Sequence, residues 1–180
     1  MHVTGGHDGL LQSLEIRPLN VDDLSTARYV VSTAFERGSK GVYSAAETTA
    51  FTSFVRSPHY GDILLGNHAY GAWIGSEMVG VAAWTVSEEK KPTARILALF
   101  VHPLFTGQGI GTHLAEYLAQ EARAAGYQAL EASVMLNATV FFERLGYIET
   151  KLGTWALSSG RELPITFMRK APQPRSEIRH

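Results

Sequence analysis

Apolar and polar positions change rhythm several times along the chain, and each rhythm predicts an element. Leu14 to Pro18 alternates and predicts a strand; Asn20 then stands where it can cap a helix whose apolar positions Leu24, Ala27, Val31 and Ala34 recur at helical spacing. A loop at 37–43, with glycines and serine among charges, leads to a second helix over 45–55. Residues 70–74, a Gly75-Ser76 turn and residues 78–86 read as a β-hairpin, and the near-continuous apolarity of its second strand implies burial on both faces. The run 96–101 is also unbroken and stops at His102-Pro103, where proline ends sheet pairing, so it predicts a central strand.

Beyond it, Ile110, Leu114, Leu118, Ala122 and Ala125 fall on one helical face, and Gly126 sits where a left-handed cap belongs. Residues 129–134 predict another buried strand, 138–145 a short helix ended by Gly146, and 147–157 and 163–168 two closing strands. Helices on a mostly antiparallel sheet, with one strand-helix-strand unit at 96–134, make an α/β (α+β) sandwich.

Length and charge narrow this further. At 180 residues, with 45% apolar and 18% charged side chains, the chain suits one domain, expected over 11–170, with 1–10 and 171–180 as flexible termini. Sixteen Lys plus Arg against seventeen Asp plus Glu leave a formal charge of -1, so no global field draws the protein to nucleic acid or an anionic membrane. Cysteine is absent, which removes disulfides, thiolate nucleophiles and Cys-ligated metal; no metal site is expected. No apolar stretch approaches the ~18 residues of a membrane span, and the start lacks a leader pattern, so a cytoplasmic protein is expected.

Candidate chemistry concentrates in residues 99–114, where a buried strand runs through a short loop into a helix. Gly107, Gly109 and Gly111 alternate there, and glycines let a backbone approach a ligand closely. The first N–H groups of the helix are unpaired and carry the positive end of its dipole, an arrangement that holds a phosphate without lysine or arginine. A Walker loop is excluded because no lysine occurs between Lys91 and Lys151. A dinucleotide fingerprint counted from Gly107 fails at its last glycine, where Thr112 stands.

Thr106-Gly107-Gln108-Gly109-Ile110-Gly111 resembles the coenzyme A signature of the GNAT superfamily of N-acetyltransferases: Arg or Gln, two residues, Gly, one residue, Gly or Ala. Val134 to Tyr147, VMLNATVFFERLGY, is similar to that family's second motif, and Gly160 through Lys170 to its last strand. The resemblance implies a GNAT-like mixed sheet of about seven strands flanked by about four helices. It also implies acetyl-CoA as cosubstrate, held by Leu99, Phe100 and Val101 of the fourth strand, by Thr106, Gly107, Gln108, Gly109, Ile110, Gly111 and Thr112 of the loop, and by Asn137, Phe142 and Arg144. A strand bulge near 99–101 would admit the pantetheine arm and offer a backbone N–H to the oxyanion. The acceptor would be a primary amine of a small molecule or peptide, bound around 35–51 and 152–161, a region holding Glu36, Tyr43, Glu47 and Trp155. Exposed closing strands suit a homodimer.

Two positions depart from the family pattern. Thr106 stands in place of Arg or Gln, and Phe142 in place of the tyrosine that protonates the departing thiolate. For the base, Glu131 on the fifth strand and His102 at the end of the fourth are the candidates, each with a structural alternative, an ion pair for Glu131 and a turn contact for His102. Tyr147 is a candidate to replace the missing hydroxyl and equally a core aromatic. Asn137 suits a helix cap as well as a cofactor contact, and Arg144 a solvated face as well as a phosphate partner. A rival function follows from the same departures: a module that binds the coenzyme without turnover.

Overall fold

The computed structural model describes residues 7–87 and 92–171. Seven strands form one sheet: β1 (Leu14–Pro18), β2 (His68–Ile74), β3 (Glu77–Ser87), β4 (Thr93–Val101), β5 (Ala129–Met135), β6 (Tyr147–Ala156) and β7 (Glu162–Lys170). Their spatial order is β1-β2-β3-β4-β5-β7-β6, and every neighbouring pair is antiparallel except β4 with β5. The expected strand number is met.

Six helices accompany the sheet: α1 (His7–Gln12), α2 (Leu24–Gly38), α3 (Ala45–Arg56), α4 (Pro58–Leu65), α5 (Ile110–Ala124) and α6 (Thr139–Arg144). About four were expected, and the additions are α1 and α4. Pro58 opens α4, where proline at the first helical position gives up only an N–H that has no helical partner anyway. The helix α1 begins ahead of Leu11, inside the segment expected to be a flexible terminus; 1–6 and 172–180 lie outside the described residues.

Local chemistry sets the helix starts. Asn20 and Asp23 cap each other's backbone ahead of α2, and Ser44 and Glu47 form the same reciprocal pair at α3, at 2.9 and 3.1 Å. The apolar stripes then fix the layers. Phe35, Phe51, Phe54 and Leu64 from α2, α3 and α4 pack on one face of the sheet; Ile110, Leu114 and Leu118 from α5, with Phe142 from α6, pack on the other. Each such side chain, removed from water, contributes roughly 1.5–3 kcal/mol.

One irregularity positions the site. On the β3 side of β4, Ala83 opposes Ala98 and Trp84 opposes Ile96, so Leu97 is an extra, bulged residue. On the β5 side, pairing runs from Thr93 with Ala129 to Ile96 with Ala132 and stops. Both events meet at Leu97, two residues before the 99–101 stretch where a bulge was expected. Past Ile96 the two parallel strands part, and the β4 backbone groups that point toward β5 lose their strand partners.

Candidate active site

The parting of β4 and β5 opens a cleft of about 570 Å³. Leu99, Phe100 and Val101 form its β4 wall, and Met135 closes it at the end of β5. Its mouth is the loop into α5, with Thr106, Gly107, Gly109, Ile110, Gly111 and Thr112 all on the lining. Asn137 and Arg144 complete the far side, so these eleven of the sequence-predicted residues are brought to one cavity.

The three glycines serve different needs. Gly107 and Gly109 have φ of 76° and 83°, the left-handed region in which a side chain is strained. Gly111 is ordinary in φ, but a Cβ there would lie 3.2 Å from the ring of Phe141, so its need is close approach between α5 and α6. Gly109 occupies the cap position of α5 and makes no side-chain cap. The N–H of His113 is the first to bond back, to the Gly109 carbonyl at 3.0 Å, which leaves the preceding amides of the helix without an intrahelical acceptor. An anion seated there gains roughly 0.3–1 kcal/mol from the dipole, in addition to its hydrogen bonds.

Other expected residues lie elsewhere. Gln108 is half-buried and off the cleft lining. Phe142 is 3% exposed and packs edge-on against Phe141 and Tyr147 in the α5-side core, while Phe141 is the ring that lines the cleft. Tyr147 is buried beneath the Lys170 ammonium, outside the cleft, and burial pushes its hydroxyl up to about 12. The His102 ring is buried, and its Nδ1 accepts from the Leu104 N–H at 3.2 Å, closing the turn after β4. Glu131 faces Arg95 across the paired half of β4 and β5, with an N–O distance of 3.0 Å. Asn137 caps no helix; its side chain instead lies against Gly38, where a Cβ would come within 2.5 Å of Nδ2.

Phe141 also lines the cleft, as do Phe35, Arg37 and Gly38, which fall in the 35–51 stretch expected to bind the acceptor and not among the expected coenzyme contacts. Residues 37–43 are expected as loop, but the helical stripe of Val31 and Phe35 carries α2 on to Gly38. Tyr43 was placed in the acceptor region, and the structure gives it a definite post. Its ring packs on Phe35, and its hydroxyl accepts from the Leu136 N–H at 2.9 Å and donates to the Pro164 carbonyl at 2.5 Å. Burial raises the pKa of this phenol, the Leu136 hydrogen bond opposes that rise, and Glu47 adds to it. On its other side Tyr43 lines a separate groove of about 480 Å³ with Glu36, Lys40 and Thr48.

The cleft therefore offers a wall of unpaired backbone, a helix mouth of free N–H groups and two guanidinium-bearing residues, Arg37 and Arg144. None of its lining residues is Asp, Glu, His or Tyr. An extended, phosphorylated ligand fits this set: the arm can add to β4 as a strand would, and the phosphates can sit at the helix.

Comparison with known proteins agrees with that shape. A family model, Acetyltransferase (GNAT) family, matches residues 29–147. A solved GCN5-related N-acetyltransferase from Rhodopseudomonas palustris is 26% identical, with TM-score 0.78 over 89% of this chain and 96% of its own. PaiA N-acetyltransferase from Thermoplasma acidophilum, solved in complex with coenzyme A, is 20% identical at TM-score 0.66, over 88% of this chain and 98% of its own. Among curated proteins, tRNA(Met) cytidine acetyltransferase TmcA from Nitrosococcus halophilus is 40% identical over 63 residues, 33% of this chain and only 8% of that much longer protein. No described helix is long and apolar enough to cross a membrane.

Proposed function

The chain belongs to the acetyltransferase (GNAT) family, and from that premise we propose that it is an acyltransferase moving an acetyl group from acetyl-CoA to a primary amine of a small molecule or peptide by direct attack. The observation that carries the reading is the coincidence at Leu97, where β4 bulges and β5 leaves it, above a helix mouth of free N–H groups. One feature admits an acyl-bearing arm and the other holds its phosphates.

When bound, acetyl-CoA supplies a thioester carbon open to attack and a thiolate, pKa about 8.5, that leaves without a side-chain acid. The amine forms the C–N bond, the C–S bond breaks, and the amine proton passes to the thiolate or to water. The chain's part is positioning and electrostatics. Unpartnered N–H groups of β4 past Leu97 stabilise the carbonyl oxygen as it becomes an oxyanion, a contribution of about 10²–10³ in rate for one such donor in other enzymes. Leu99, Phe100 and Val101 hold the arm, and the amides of Gly109 to Thr112 hold the diphosphate.

The cleft lining holds no carboxylate, imidazole or phenol, so within the cleft nothing takes the amine's proton and a nitrogen that is already neutral attacks. An alkyl ammonium of pKa about 10.4 carries a handicap of about 4.6 kcal/mol at pH 7, an α-amine of pKa about 8 only about 1.4. This favours α-amines, free or at a peptide end. The same absence supports the second reading, a coenzyme-binding module without turnover. Calorimetry with acetyl-CoA, followed by thiol release across a panel of amines, separates the two: heat without release above background identifies the module, and no heat rejects both. The expected single domain over 11–170 and a cytoplasmic setting belong to this proposal. So does a homodimer, for which the exposed Ile148 and Leu152 on edge strand β6 are the support and sedimentation is the test.

A further inference from the structure

Arg37 and Arg144 reach the cleft from different elements, the last turn of α2 and the end of α6. Both are exposed, and among the described residues neither makes a hydrogen bond, ion pair or ring contact. The cleft lining offers them no carboxylate. Two cations without side-chain partners thus share one cleft with the positive end of α5, a set that favours an anion. Arg37 is also held in place by its neighbour: Gly38 lies against the Asn137 side chain, which docks the end of α2 on the turn after β5. On the other side of the α2 end, Glu36 and Lys40 face the separate groove with Tyr43.

We infer that Arg37 clamps the coenzyme's diphosphate against the 107–111 loop and thereby ties the end of α2, one wall of the neighbouring groove, to occupancy of the cleft; this rests on the acetyl-CoA reading above. Arg37 supplies the charge that Thr106 lacks, from a helix far away in sequence. It is a binding residue with a positioning consequence for the groove through which the α2–α3 loop meets solvent.

The test is affinity for three thioesters and thiols, in wild type and in Arg37→Gln, with Arg56→Gln at the distant end of α3 as a control for loss of charge. Arg37→Gln weakens acetyl-CoA and dephospho-CoA about tenfold and leaves S-acetylpantetheine, which has no phosphate, unchanged. Amide hydrogen exchange at 37–43 slows on acetyl-CoA binding in wild type and does not in Arg37→Gln. Equal weakening of S-acetylpantetheine would mean that the substitution merely loosens α2, and would overturn the inference. So would a loss that disappears with dephospho-CoA, which assigns Arg37 to the 3′-phosphate, or a loss no greater than that of Arg56→Gln. If wild type itself fails to bind acetyl-CoA, the functional reading falls first and this one with it.

Discussion

The phenol oxygen of Tyr43 accepts a hydrogen bond from the backbone N–H of Leu136 at 2.9 Å, across 93 residues of chain. Its own proton goes to the Pro164 carbonyl at 2.5 Å. One side chain from the α2–α3 loop thus closes the end of β5 and the start of β7 against each other, at the inner end of the cleft. Tyr43→Phe keeps the ring packing on Phe35 and removes the partner of a half-buried donor and a half-buried acceptor, a loss of about 1–3 kcal/mol in all. Chemical denaturation should show that drop. In kinetics the acceptor KM should rise while acetyl-CoA affinity holds, because the anchor serves the loop and not the phosphate site. An unchanged acceptor KM would detach Tyr43 from the acceptor path.

Tyr147 behaves as a core residue whose hydroxyl has been carried out of water. Its folded-state pKa of about 12 lies above the ordinary phenol value of about 10, because burial outweighs the opposing field of Arg123. The folded chain therefore holds this proton more tightly than the unfolded one. Its contribution to stability is complete below pH 10 and is lost as pH rises toward 12, with a slope on the order of 1 kcal/mol per pH unit. Tyr147→Phe should flatten that part of the alkaline stability profile and leave turnover at neutral pH alone. A fall in kcat with thioester binding intact would instead make the phenol a proton donor.

Phe142→Tyr tests the family analogy directly. By sequence position a tyrosine there would restore a proton donor to the departing thiolate. By structure the new hydroxyl would enter a packed site between Phe141 and Tyr147, 3% exposed, away from the cleft lining. Burying a hydroxyl without a partner costs about 1–3 kcal/mol. The variant should melt lower and turn over no faster; faster release of thiol would show that this ring reaches the reacting sulfur.

These contrasts show what the sequence carries and what it does not. The strand pattern, the α5 stripe and the glycine loop were legible because each is a local signal: period two, period 3.6, and φ values that only glycine takes easily. The surroundings of Glu131, His102 and Tyr147 were not. Each meets a partner that its own stretch of sequence does not show: Arg95 across the sheet, the Leu104 amide in the turn, the Lys170 ammonium. Arg37 was hidden for a further reason. It lies one residue before the end of α2, and Gly38 reads as a loop residue until the Asn137 side chain is seen to fill the space of its missing Cβ.

The pH dependence of the acyl transfer follows from what the cleft lacks. Glu131, the nearest carboxylate by family analogy, lies beside the paired part of β4, engaged by Arg95 and off the cleft lining, and its side chain keeps 25% of its exposure. A pair this open to solvent adds little to stability, about 0–1 kcal/mol. Glu131→Gln should accordingly leave both melting temperature and rate close to wild type. With no base on the described cleft lining, kcat/KM for an alkylamine should climb tenfold per pH unit up to pH 9, since each unit multiplies its neutral fraction by ten below a pKa of about 10.4. For an α-amine of pKa about 8 the climb should level near pH 8. Glu131→Gln should not move either curve. An alkylamine profile that levels between pH 6 and 7 and shifts on Glu131→Gln would show that this carboxylate, despite Arg95, reaches the acceptor nitrogen and takes its proton.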